Sequence, residues 1–153
     1  MTNHEISEQL LKIVSSDDFA KSSAELTEAW STQAVGVESI DPILEFIEAQ
    51  PDLDYGTPGA LVHFVEAFYR KGYVERLIKS IGRKPTMLTV WMLNRIINGA
   101  HEETTKDKFI SIMREAATNV NTDRKTLDRI NGFLEHLASQ RNPEKGISPI
   151  VLK

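Results

Sequence analysis

The sequence predicts an all-α protein of about eight helices in antiparallel pairs, arranged either as an α-solenoid-like stack or as a compact helical bundle. Three observations carry this. Apolar residues recur at helical spacing in one segment after another, no stretch alternates with a period of two, and several segments open on a capping residue with proline beside it. A chain of 153 residues can bury roughly 70% of its unfolded surface in one unit. One helical domain is therefore expected over 1–141, followed by an irregular tail over 142–153 that carries Pro143, Gly146 and Pro149.

The first helix is read from Ile6, Leu10, Ile13 and Val14, with Thr2 or Asn3 as its cap. Ser16-Asp17-Asp18 places a cap and carboxylates where a helix dipole favours negative charge, and Phe19, Leu26 and Trp30 line the second helix, expected to end near Gly36. Asp41-Pro42 opens the third, which has Ile43, Leu44, Phe46 and Ile47 on its apolar face and Pro51 as its stop. Thr57-Pro58 repeats that opening for a fourth helix with Leu61, Val62, Phe64, Val65, Phe68 and Tyr69. Gly72 breaks the pattern before a shorter helix from Tyr73 to Ile81.

The segment from Thr86 to Gly99 is the most apolar of the chain. Met87, Leu88, Val90, Trp91, Met92, Leu93, Ile96 and Ile97 occupy almost its whole circumference, which predicts a buried central helix with Trp91, Leu93 and Ile97 inside and Gly99 as a left-handed stop. Thr104 then caps a helix with Phe109, Ile110 and Met113, and Thr122-Asp123 caps the last, with Leu127, Ile130, Leu134 and Leu137. The pairs fall at about 3–33, 42–70, 73–99 and 104–139, near the spacing of helical-pair repeats.

Composition narrows the function. There is no cysteine, which removes thiol catalysis, disulfides and thiolate zinc sites and fits a reducing cytoplasm. No basic-then-apolar leader and no run of ~20 apolar residues is present, so no membrane role is expected. The net charge of −4 conceals a segregation: twelve acids against Lys12 and Lys21 up to Asp54, then ten acids against sixteen bases. An acidic first third attracts basic partners and repels nucleic acid. The basic group Arg70, Lys71, Arg76, Lys79, Arg83 and Lys84 is therefore read as a solvated edge or an internal partner of those acids.

Signatures of catalysis are sparse. The sequence has no phosphate-cradling glycine loop, no Gly-x-Ser-x-Gly elbow and no His-Glu-x-x-His pair. His63 and Glu66 stand three apart, a spacing used in di-iron bundles, but such bundles need the pair twice together with further carboxylates. No cofactor, no metal and no enzymatic activity are expected.

Trp91, Asn94 and Asn98 fall on one stripe at i, i+3 and i+7, and Val90-Trp-Met-Leu-Asn94 resembles the groove-lining signature of armadillo-type repeats of the wider HEAT/armadillo class. That resemblance implies an adaptor gripping a peptide backbone with asparagine amides. A broader likeness runs from Asp54-Tyr-Gly-Thr-Pro-Gly59 through Lys84-Pro-Thr86 and Thr89 to Asn98, which resembles small bacterial all-helical immunity proteins of polymorphic or contact-dependent growth inhibition toxin systems. It implies a cytoplasmic protein that binds one cognate toxin domain and does no chemistry. The acidic third points to a basic nuclease as that toxin, with Glu45, Glu48, Asp52 and Asp54 as electrostatic contacts and Tyr55 as an aromatic anchor. The alternative interface is a groove at His63, Glu66, Trp91, Asn94 and Asn98.

Overall fold

A computed structural model describes residues 1–141, and the expected tail over 142–153 lies outside them. The fold is all-α: eight helices and no strand among the described residues. They are α1 (Asn3–Ile13), α2 (Phe19–Thr32), α3 (Ile40–Ala49), α4 (Ala60–Glu66), α5 (Val74–Arg83), α6 (Met87–Gly99), α7 (Glu103–Ala117) and α8 (Arg124–Arg141). Where the sequence predicts one domain, the described residues pack as two compact units, 1–80 and 81–141.

In the first unit, α1 packs on α2 and α3, α2 packs on α4, and α3 packs on α4, so the four helices close a circuit. Local chemistry starts each one. Thr2 and Glu5 form a reciprocal capping box on α1, and the Asp18 carboxylate accepts the Lys21 N–H at the start of α2. The core-organising helix is α3, which buries Ile40, Pro42, Ile43, Leu44, Phe46 and Ile47. A single 3-10 turn, Val37–Ser39, leads into it, so the helix begins before Pro42 and Asp41 lies inside its first turn. There Asp41 pairs with Arg76 at 3.5 Å, one internal contact between the acidic third and the basic cluster.

Two helix ends differ from the expected ones. The second helix ends at Thr32, ahead of Gly36: Val35 N–H donates to the Trp30 carbonyl at 2.9 Å, Ala34 N–H to Ser31 at 3.2 Å, and Ala34 takes φ 57°. This is a Schellman stop with alanine in the glycine position, and both Val35 and Trp30 at that stop are buried. The fourth helix begins at Ala60, beyond Thr57-Pro58. Gly59 at φ 94° turns the chain into it, and its α-carbon lies so close to the Tyr55 carbonyl that any Cβ there would collide. The peptide Thr57-Pro58 is cis. Gly72, at φ 98°, breaks the chain between α4 and α5 as expected.

In the second unit, α6, α7 and α8 each pack on the other two. Thr86 and Thr89 cap α6 reciprocally, and Val90, Met92, Leu93, Ile96 and Ile97 are buried. The expectation of one central helix for the whole chain is corrected: α6 organises this unit, and the first has its own core. Gly99 is the last helical residue and is not left-handed, because the chain leaves through Ala100 in an extended conformation. Glu102 occupies the cap position of α7, ahead of Thr104, and Asp123 caps α8 by accepting the Thr126 N–H at 2.8 Å. Arg141, near the described end of α8, bridges Glu103 and Asp107 on α7.

Candidate functional site

The residues expected to form an acidic contact edge differ in their exposure. Glu45, Asp52 and Asp54 are exposed, on α3 and in the turn that follows it. Asp54 also accepts the Gly56 N–H at 3.1 Å, which holds the turn. Glu48 is half-buried and accepts a 2.6 Å hydrogen bond from the buried Ser80 hydroxyl. Tyr55 is 5% exposed. Its ring lies edge-on to Phe19 at 5.6 Å and to Phe46 at 6.3 Å, and its hydroxyl donates to the Gln50 carbonyl at 2.7 Å. Burial pushes its phenol well above the ordinary tyrosine value. The ring expected as an aromatic anchor is thus in the core, tying the loop after α3 to α2 and α3.

The residues of the alternative groove divide between the two units. His63 is exposed and Glu66 half-buried in the first. In the second, Trp91 is half-buried rather than fully inside, with the Arg95 guanidinium 5.0 Å from its ring centroid, while Asn94 is also half-buried and Asn98 exposed. A cation over the indole face stabilises an aromatic that α6 leaves partly in water. Among the described residues no three His, Asp or Glu side chains gather to hold a metal ion.

A feature outside the expected edge is a groove between α2 and α4, wholly within the first unit, with a volume of about 620 Å³. One wall is Ala24, Thr27, Glu28 and Ser31, which recur on one face of α2. The other comes from Ala60, His63, Phe64 and Ala67, with Phe68 beyond the helix end. Phe64 meets Phe68 edge-on at 5.7 Å and Trp30 at 5.5 Å. Trp30 is fully buried, and its indole N–H donates to the Gln9 amide oxygen at 2.6 Å. The buried indole therefore braces a partly exposed aromatic floor. Ala24, Thr27, Ser31, Ala60 and Ala67 contribute little bulk to the walls, which leaves the trough unfilled.

Sequence periodicity assigns Phe64 and Phe68 to the core. The missed signal was the run of small residues Ala24, Thr27 and Ser31 at i, i+3 and i+7, which leaves a helix face with little bulk to fill the space before its neighbour. Comparison of the chain with protein-family models, curated proteins and solved structures finds no significant match.

Proposed function

We propose that this chain is an immunity-type inhibitor, a cytoplasmic protein that binds a basic bacterial toxin domain, a nuclease by its expected charge, and blocks the substrate cleft without doing chemistry. The observation that carries the reading is electrostatic. The first unit holds fourteen acids against six bases, a net −8, while the chain from Ile81 onward holds eight acids against twelve bases, +4. With Glu45, Asp52 and Asp54 exposed on it, the first unit suits a partner whose cleft is built to hold phosphates. Charge of this kind accelerates encounter and rejects wrong partners, while a few desolvated apolar contacts supply most of the affinity.

The test is co-expression with the toxin domain encoded beside this gene. Restored growth, and a stoichiometric complex that co-elutes, are expected. Continued killing with both proteins present in soluble form would overturn the proposal, as would the lack of any toxin-domain gene in the neighbourhood. A second reading, a helical adaptor that holds a peptide, is favoured by the incompletely buried Trp91 on one stripe with Asn94 and Asn98. A peptide pull-down lost in a folded Asn94→Ala protein would support it.

A further inference from the structure

We infer that the groove between α2 and α4 receives a basic amphipathic helix of the partner protein, a proposal that rests on the reading of that partner as basic. Three properties of the groove select this occupant. It is an open trough, whereas small molecules take sites that enclose most of their surface; a trough covers one face of a guest, as a groove that takes a helix does. Its length is set by Ala24 to Ser31 on one wall, a span of seven helical steps or about 10 Å at the helical rise. That matches two turns of a guest helix, with apolar side chains at i, i+3 or i+4, and i+7. The floor is aromatic, Phe64 and Phe68, while the exposed carboxylate of Glu28 stands on the α2 wall of a unit carrying −8. An apolar stripe flanked by Lys or Arg satisfies both.

Small walls make the groove simple to close. Ala24 is exposed and helical, so Ala24→Arg keeps the helix and fills the trough with a long cationic side chain. Ala20 is exposed on the same helix and outside the groove, which makes Ala20→Arg the matched control.

The probe is a phage-displayed library of single-helix peptides selected on the full chain. Enrichment of an apolar i, i+4, i+7 stripe flanked by Lys or Arg is expected. For an enriched peptide followed by fluorescence anisotropy, Ala24→Arg should raise Kd at least tenfold and Ala20→Arg should leave it unchanged. Glu28→Lys should reverse the preference between the Lys-flanked peptide and its Glu-flanked twin. Failure to enrich a helical consensus, a consensus flanked by acids, or binders indifferent to Ala24→Arg would each overturn the inference. So would a small apolar compound that competes at Ala24 when no peptide does. Because the selection does not involve the toxin, a negative selection with growth rescue intact removes the groove alone. A positive selection without rescue removes the immunity reading and leaves the groove.

Discussion

Ala34 carries the backbone turn that ends α2, and a residue with a Cβ in the left-handed region costs about 1 kcal/mol or more relative to glycine. It persists because the Val35 N–H bonds back to the Trp30 carbonyl at the same stop, where both residues are buried. Ala34→Gly should therefore raise stability by about 1 kcal/mol in urea titrations, despite the entropy glycine adds to the unfolded chain. Nothing in Gln33-Ala34-Val35 marks this turn, and the nearest glycine, Gly36, drew the expected stop two residues late. Asp123 was legible, since a short acid before a periodic apolar run has one obvious use at a helix start. The Thr126 backbone N–H, and then its hydroxyl, hold that carboxyl below the ordinary carboxylate value. Its folded pKa being depressed, the stabilisation is present above the unfolded value near 4 and is lost as pH falls through the folded one. Asp123→Ala should cost about 0.5–2 kcal/mol at pH 7. The gap between variant and parent should narrow in acid, which denaturant melts at pH 7 and pH 3 will show.

Among the helices, the starts were read better than the ends. Caps such as Thr2, Asp18, Thr86 and Asp123 act through bonds to the residue three along, so a local pattern suffices to find them. Thr57-Pro58 has the same pattern and opens nothing, because the backbone of Tyr55 and Gly59 in close approach sets where α4 begins. Burial around α6 shows the same limit. Leu93 and Ile97 are fully buried as their spacing predicts, whereas Trp91, expected inside with them, is only half-buried. Leu93→Ala should cost about 2–5 kcal/mol. Trp91→Ala should cost less than Leu93→Ala and also free the Arg95 guanidinium from the indole face. Paired melts of the two variants measure the difference, and an unchanged curve for Leu93→Ala would refute the packing of α6.

For the whole molecule, charge was the property most open to reading from sequence, because summing it requires no contacts. The acidic surplus falls within the first compact unit, Met1–Ser80, and the sign reverses from Ile81. Tyr55 and the α2–α4 groove were not legible, since each depends on which helix lies beside which: Tyr55 on Phe19 and Phe46, the groove on Trp30 beneath Phe64. With Tyr55 inside, the proposed edge offers a basic partner exposed charge without an aromatic anchor, so on that reading its acids would steer encounter and the apolar share of binding would fall to other surfaces. Steering charges govern encounter more than residence. The association rate with a basic toxin domain should thus fall at least tenfold between low salt and ~0.5 M, where exposed charges are screened within a few ångströms. Reversing Asp52 and Asp54 to Lys should lower the same rate and flatten its salt dependence, with a smaller effect on dissociation. Both side chains are exposed, and only Asp54 holds a backbone amide, the Gly56 N–H, so a matched Asp54→Asn variant separates loss of the turn bond from loss of charge. Stopped-flow association across a salt series makes the measurement. A rate indifferent to salt and to the reversal would mean that the acidic unit is a solvated surface and does not steer a partner.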